Sequence, residues 1–456
     1  MSEDNIKKNK IKSPEGCHDL LPSDHRFISL IKKVVRRRCR QHGIQRITPC
    51  TFEHIDLFER TIGENTDIVA KELFSFQSKS GKKTYALRPE LTAGIVRSYI
   101  EHGMGSFPHP VWLYAFDTVF RYDRPQKNRY RQFQQWSVEV IGEKEPGLDA
   151  QMIYLAYQVF KDLKINENLV VRLNTIGNGE ERENYVEALK NFFYGKERNL
   201  CFDCQARLES NPLRILDCKE EDCKILAGIA PKFSQFLEED SKKYFEEVKE
   251  LLEEVKIPYE TDETLVRGLD YYNDTVFEIV DSSEEGQQNT LLGGGRYDGL
   301  VEQLGGVETP AFGFAMGIER VVNRMKDFGY EVPVKDKIHV YVAQLGQLAK
   351  KKALSLLESL HEEGIYSMGA IGTPSIRAQL RNADKFDADW AIIMGQIEVQ
   401  EGNVILRNMK KGTQETLPME GIVKKMVELV GSENVEKVDF FELKSLEKKE
   451  KNEWGI

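Results

Sequence analysis

An α+β body followed by a smaller α/β domain is the fold class that the sequence predicts. Three observations carry it. Over roughly the first 330 residues, strand-like stretches follow one another with helices grouped apart from them, which suits an antiparallel sheet with flanking helices. A highly charged, mostly helical stretch of about 180–256 interrupts them and reads as an insertion. Past a linker at YEVPVKDK, strand and helix alternate, as in a separate α/β unit. The predicted domains are therefore 1–330, 336–431 and a charged tail of 432–456 without a core of its own.

The elements follow in order. PSDHRFISLIKKVVRRRCRQHG has Ser23 or Asp24 as a helix cap, apolar Phe27, Leu30, Ile31, Val34 and Val35 at helical spacing, and Gly43 as a stop. IQRITPCTFEHIDLF reads as a strand interrupted by Pro49, which suits an edge or an interface. GKKTYALRPELTAGIVRSYIEHG runs from a turn through a strand into a helix starting near Pro89, with Glu90 and Thr92 where strand becomes helix, a place that commonly faces a pocket. VWLYAFDTVF and QFQQWSVEVIG are strands; in the second, Trp136, Val138 and Val140 alternate with Ser137 and Glu139 as in a half-buried strand. AQMIYLAYQVFKDL is a helix and NLVVRLNTIGNG a strand and turn. Strand patterns return in ETLVRGLDYYNDTVFEIVDS, followed by NTLLGGGRYDGLVEQLGG and AFGFAMGIERVVNRM, where a glycine-rich strand or turn leads into a helix. In the last domain KIHVYVAQL and DWAIIMG are strands, and LAKKKALSLLESLHEEG and PSIRAQLRNADKF helices.

Composition narrows the function classes. The chain has 456 residues, 40% of them hydrophobic, enough for two or three packed domains. Neither a membrane-length apolar run nor a signal-peptide core is present, so a cytoplasmic protein with no membrane partner is expected. A formal charge of -10 argues against indiscriminate coating of nucleic acid, yet leaves room for a basic groove. Seven cysteines in a chain this long are not a secreted disulfide framework.

The chemistry-bearing segments are mostly basic. Arg121, Arg124, Lys127, Arg129 and Arg131 crowd the turn between two predicted strands, with Tyr122, Tyr130 and Phe133 among them. This is a hairpin whose tip presents cations, or, taken alone, a solvated loop. Arg267 in LVRGLDYY, Arg296 in GGGRYDGL and Arg320 in GFAMGIERV add three more guanidinium groups to the same body. Buried cations need acidic partners or an anionic ligand. The glycines of LLGGGRYDG and FGFAMGIE allow backbone to approach a flat or phosphorylated ligand, although neither run matches a P-loop or a Rossmann fingerprint. Tyr271 and Tyr272, read alone, are ordinary strand aromatics.

Together these segments resemble the class II aminoacyl-tRNA synthetases, and specifically the histidyl-tRNA synthetase family, over nearly the whole chain. The Pro49 stretch resembles motif 1, which implies a homodimer interface; FRYDRPQKNRYRQFQQWSVEVIG resembles motif 2 and GFAMGIERV motif 3. LRPELTA, LVRGLDYYNDTVFE and LLGGGRYDGL resemble the elements that select histidine. The resemblance implies a class II antiparallel sheet and a C-terminal anticodon-binding domain. It also implies ATP-dependent ligation of L-histidine to tRNA(His) through a histidyl-adenylate, with ATP as substrate and Mg2+. Arg121 would bind the α-phosphate and Arg320 the γ-phosphate, Arg267 would act on the α-phosphate during catalysis, and Arg124 and Gln126 would meet the tRNA acceptor end. Glu90, Thr92 and Gln135 would hold the α-amino group, Glu139 with Tyr272 would read the ring, and Tyr271 would line the same pocket. One departure is Gln134, where the family more usually has His; it should point to the other face of the strand from Gln135.

Two further features complete the reading. Cys201, Cys204, Cys218 and Cys223 have the ligand count of a structural zinc site, the alternative being reduced thiols on a helical insertion. Arg377, Arg381 and Lys385 recur at every fourth position as a basic stripe, either a solvated face or a contact for anticodon-stem phosphates. A non-catalytic relative, the synthetase-like regulatory subunit of ATP phosphoribosyltransferase, is the nearest alternative. It typically lacks the anticodon domain and the arginine of RGLDYY, both of which have counterparts here. An RNA-binding protein with a dead catalytic body is the third reading.

Overall fold

The computed structural model describes residues 11–63, 66, 68–124, 128–283, 289–332, 337–369, 372, 375–431 and 435. All of the charged tail except Val435, and part of the linker, lie outside them. The chain divides into two compact units, Met1–Val332 and Pro333–Ile456.

The first unit opens on α1 (Pro22–Gln41), β1 (Gln45–Arg46), β2 (Phe52–His54), α2 (Ile55–Ile62), β3 (Ser75–Gln77) and β4 (Thr84–Leu87). Then come α3 (Thr92–Glu101), β5 (Val111–Phe120), β6 (Gln132–Ile141), α4 (Pro146–Asp162) and β7 (Leu169–Thr175). The charged stretch folds as α5 (Gly179–Phe193), α6 (Phe202–Ser210), α7 (Glu221–Gly228) and α8 (Glu239–Glu254). It is followed by β8 (Tyr259–Thr261), β9 (Asn273–Asp281), β10 (Thr290–Arg296), α9 (Leu300–Gln303), β11 (Ala311–Gly317) and α10 (Ile318–Asp327).

Eight strands form one sheet in the order β1-β5-β6-β11-β10-β9-β7-β8. Its central pairs are antiparallel, and only the edge pairs β1–β5 and β7–β8 are parallel. Pro49 does split its segment: β1 joins this sheet while β2 pairs with β4 in a separate three-stranded sheet. The apolar residues of α1, α4 and α10 pack with Trp136, Val138 and Val140 on one sheet face. Against the other face lie α3, the α5–α7 part of the insertion and the aromatic residues around Tyr297, while α8 packs beside α4 on the first face.

Several expectations need correction. The α1 cap is Leu21, with Pro22 in the first turn; Asp24 works from inside the helix, where its carboxylate accepts the Leu21 N–H at 3.0 Å while leucine itself offers no side-chain cap. The helix after Arg88 starts at Thr92 rather than near Pro89, because a proline and the Glu90 carboxylate fill the approach to its first turn. LVRGLDYY is a loop leading into β9 instead of a strand. The strand β6 is buried on both faces over most of its length rather than half-buried. Its second face is polar but covered, so its side chains must find partners there.

The second unit contains β12 (Val340–Gln344), α11 (Gln347–Glu362), β13 (Ser367–Gly369), α12 (Ile376–Lys385), β14 (Trp390–Met394), α13 (Gln396–Gln400), β15 (Asn403–Asn408), β16 (Gln414–Pro418) and α14 (Ile422–Val430). The sheet order is β13-β12-β14-β15-β16, parallel among the first three and antiparallel for the last two. On α12, Gln379 and Ala383 are buried, whereas Arg377, Arg381 and Lys385 are exposed. Gln379 is locked in place by exchanging hydrogen bonds with the Gln344 backbone at 2.9 and 2.7 Å. The basic stripe is thus the outer face of a helix whose inner face is pinned to the sheet.

Candidate active site

A cleft of about 1540 Å³ opens on the face of the large sheet that carries β6, β10 and β11. Glu90, Thr92, Arg121, Gln135, Arg267, Tyr271, Tyr272 and Arg320 all line it, although they come from five separate segments.

At its acidic end, Glu90 stands just before α3 and accepts the Thr92 and Ala93 N–H groups at 2.5 and 2.9 Å. The carboxylate therefore sits on the positive end of a helix. Burial raises its pKa, and those hydrogen bonds and Arg121 only partly oppose the effect. The Gln135 side chain is buried and its Oε1 has no hydrogen-bond partner. An unsatisfied acceptor at the wall of a polar cleft is what a ligand donor would complete.

Glu139 does not line the cleft. It is fully buried one layer deeper, where Thr92 Oγ1 donates to it at 2.7 Å and the Ser137 and Tyr297 hydroxyls complete its shell. Burial pushes its pKa up to about 8 against these donors. Gly313 lies opposite Glu139 on β11, and a methyl group added there would come within 1.7 Å of the carboxylate. That glycine gives the acid its space. The Tyr271, Tyr272 and Tyr297 rings pack together, with centroids 4.6 and 5.5 Å apart for the two pairs that Tyr271 makes.

At the basic end, the Arg267 guanidinium lies flat over β10. A methyl on Gly293 would come within 2.4 Å of its Nη1, while a methyl on Gly294 would strike the Gly313 carbonyl of the next strand at 2.2 Å. The triple glycine thus serves close packing of a side chain and a neighbouring strand. Gly293 is also among the residues that line the cleft. Arg267 pairs with Glu278 on β9 and faces the Tyr272 ring at 5.7 Å, and its buried Nε has no partner. Arg121 donates from Nε to the Pro89 carbonyl at 2.8 Å. Arg320, at the start of α10, donates to the Thr290 carbonyl at 2.6 Å and has no carboxylate in ion-pair contact among the described residues. Burial, then the like charges of Arg129 and Arg121, lower its pKa. Of the three guanidinium groups, only Arg267 has a carboxylate in ion-pair contact among the described residues, an arrangement suited to an anion.

The remaining site residues fall elsewhere. Arg124 is exposed on the β5–β6 connection, and Gln126 lies outside the described residues. Gln135 lines the cleft and its strand neighbour Gln134 does not; the Gln134 backbone N–H is received by both Glu319 oxygens at 2.9 and 3.0 Å. Arg296 is not part of the cleft: its side chain is fully buried and paired with Asp149 and Asp298. Sequence reasoning missed Glu278, Ser137 and Tyr297. Glu278 had a signal, a lone charge inside the apolar run TVFEIV.

The histidyl-tRNA synthetase family model matches residues 16–321. The chain belongs to the histidyl-tRNA synthetase family. An anticodon-binding domain model matches residues 339–429. The histidine--tRNA ligase of Dehalococcoides mccartyi is 43% identical over 412 residues, 90% of this chain and 98% of the relative. That of Caldicellulosiruptor saccharolyticus is 41% identical over 414 residues, 91% and 98% of the two chains. Among solved structures, apo histidyl-tRNA synthetase of S. aureus superposes with a TM-score of 0.76 at 34% identity, covering 91% of this chain and all of its own. These three alignments extend over about nine-tenths of the chain, so they take in residues of both units.

Proposed function

We infer that the chain ligates L-histidine to tRNA(His) at the expense of ATP. The observation that carries the reading is the polarity of one cleft, with Glu90 and the open Gln135 acceptor at one end and Arg121, Arg267 and Arg320 at the other. An amino acid held by its ammonium at the first end directs its carboxylate toward the second.

In the first step the histidine carboxylate oxygen attacks the α-phosphorus of ATP, the bond to the bridging β-oxygen breaks, and pyrophosphate leaves. Arg121 and Arg267 stabilise charge on the α-phosphate oxygens, and Arg320 holds the γ-phosphate; fixed guanidinium groups in a low-dielectric cleft suit charge that builds in the transition state. In the second step the terminal ribose hydroxyl of the tRNA attacks the carbonyl carbon and AMP departs. Glu90, Thr92 and Gln135 hold the α-amino group. Tyr272 reads the imidazole beside Tyr271, and Glu139, one layer deeper, fixes the Thr92 and Tyr297 hydroxyls.

Class II synthetases use Mg2+ with ATP. The one group of three or more potential metal ligands among the described residues is the cysteine cluster, and Glu278 is already held by Arg267 and Thr290. Bound together with ATP, Mg2+ would neutralise charge on the phosphates.

Arg124, exposed on the β5–β6 connection, and Gln126 would meet the tRNA acceptor end, and the exposed Arg377, Arg381 and Lys385 the anticodon stem. Exposed Phe52 and Phe76, packed with Tyr85 on the small sheet, support a homodimer contact near the Pro49 segment. No described helix is long and apolar enough to cross a membrane, and the substrates place the reaction in the cytoplasm. The regulatory-subunit alternative is disfavoured by Arg267 and by the anticodon-binding domain. ATP–pyrophosphate exchange tests the reading: it should depend on histidine among the twenty amino acids, and charging should follow on tRNA(His). Exchange with no amino acid, from a folded protein, would refute it.

A further inference from the structure

The insertion carries a group of side chains that the aminoacylation site does not use. Cys201 precedes the first residue of α6 and Cys204 lies in its first turn; Cys218 follows the short helical turn Pro212–Ile215, and Cys223 lies in the first turn of α7. Their four Sγ atoms all lie within 4.8 Å of one another, and three of the four residues are buried. Cys201 and Cys218 Sγ are 3.7 Å apart, and the Cys201 N–H donates to Cys223 Sγ at 3.2 Å.

These distances discriminate. Four thiolates about 2.3 Å from a tetrahedral Zn2+ have sulfur–sulfur edges of about 3.8 Å, whereas a disulfide needs about 2.05 Å. Reduced cysteines with no common role have no reason to converge from four points of a chain segment onto one centre. The turn geometry matches as well, since a Cys-x-x-Cys pair at a helix start presents both sulfurs to one side and leaves a backbone N–H to support a third.

We propose that Cys201, Cys204, Cys218 and Cys223 bind one Zn2+ as a closed, structural site, with the four thiol protons released as the thiolates form. All four positions are filled by protein sulfur, so the metal takes no substrate. Its role is to clip together a short, charged segment whose buried apolar residues, such as Leu208, Leu213 and Ile215, belong to a core shared with the large sheet. That segment is docked on the active-site loop: Asn211 Nδ2 donates to Asp270 Oδ1 at 2.6 Å, and Gly268 lies close under the Arg214 guanidinium. Arg267, Tyr271 and Tyr272 belong to the same loop. Cys201 and Cys218 also line the cleft, so the metal would brace the loop from the cleft's own wall.

Metal analysis tests this on the full chain, purified under reducing conditions without chelator. About one equivalent of zinc per chain is expected, falling below about a tenth in Cys204→Ser/Cys218→Ser. Replacement of the metal by Co2+ in the wild-type protein should give the thiolate charge-transfer and tetrahedral ligand-field bands of a four-sulfur site, a readout that needs neither activity nor a variant. Wild-type protein with less than about a tenth of an equivalent, and no cobalt–thiolate spectrum after reduction and reconstitution, would overturn the proposal. So would a Cys201–Cys218 disulfide found by mass spectrometry in place of the metal.

Discussion

Arg267 and Arg296 both lie beside the triple glycine of β10 and answer opposite requirements. Arg296 ends the strand with its side chain fully buried, and Asp149, Asp298 and the Glu143 carbonyl surround it. Arg267 lies across the start of the run on the cleft face, with one acid for a partner, Glu278, and a bare Nε. A cation whose acids and carbonyls are all supplied by the chain holds the fold together. A cation left with spare donors at an open wall awaits an anion. The contrast shows why counting arginines in a sequence overstates a site: only the pairing separates the two kinds.

The largest effect that would probe this contrast is expected on the structural side. Arg296→Ala strands a fully buried Asp149 carboxylate, and losing one partner of such a pair costs about 3–5 kcal/mol. Chemical denaturation should show it as a lowered midpoint. On the cleft side, Arg320→Ala removes a charge-assisted donor worth about 1.5–3 kcal/mol; the KM for ATP should rise by about 10–100-fold with the folding midpoint little changed. An unchanged KM would separate Arg320 from the nucleotide.

Gly313→Ala sharpens the comparison by touching both sides at once. Its methyl overlaps the Glu139 carboxylate, so about 1–3 kcal/mol of overpacking is expected. Histidine KM should rise more than ATP KM, because Glu139 holds Thr92 at the amino-acid end. The smallest effect concerns pH. The folded-state pKa of Glu139 is raised to about 8, so the native protein binds the proton that the unfolded chain has already released. Stability from this group is therefore present at low pH and declines as pH rises from the unfolded carboxylate pKa to about 8. Glu139→Gln should flatten that part of the stability profile; an unaltered slope would mean that other buried acids, such as Glu319, carry it.

Much of this was legible in the sequence, for identifiable reasons. The β5–β6 hairpin follows from period-two patterning, and the polar face of β6, Gln135, Ser137 and Glu139, is the face that lies toward the cleft. LVRGLDYY misleads because tyrosine and valine favour strands, yet Tyr271 and Tyr272 are held by packing on Tyr297, which no local pattern encodes. The purpose of Gly293 and Gly313 depends on cross-strand register with Glu278 and Glu139. Asp149 is 147 residues from Arg296, so the pairing that removes this arginine from the site was invisible. In the second unit, β13, β15, β16, α13 and α14 escaped notice: the strands are three to six residues long, and β16 is mostly exposed and polar. The fold class was readable because its long helices and central strands are strongly patterned.

The central claim, that Arg267 serves the reaction and Arg296 the fold, is tested most directly by histidine-dependent ATP–pyrophosphate exchange in Arg267→Ala at saturating histidine and ATP, with thermal unfolding of the same preparation. The account predicts a fall of about 10²–10³-fold in the exchange rate and a melting temperature close to that of the wild type. Exchange near the wild-type rate, or a rate loss fully explained by unfolded protein, would contradict it.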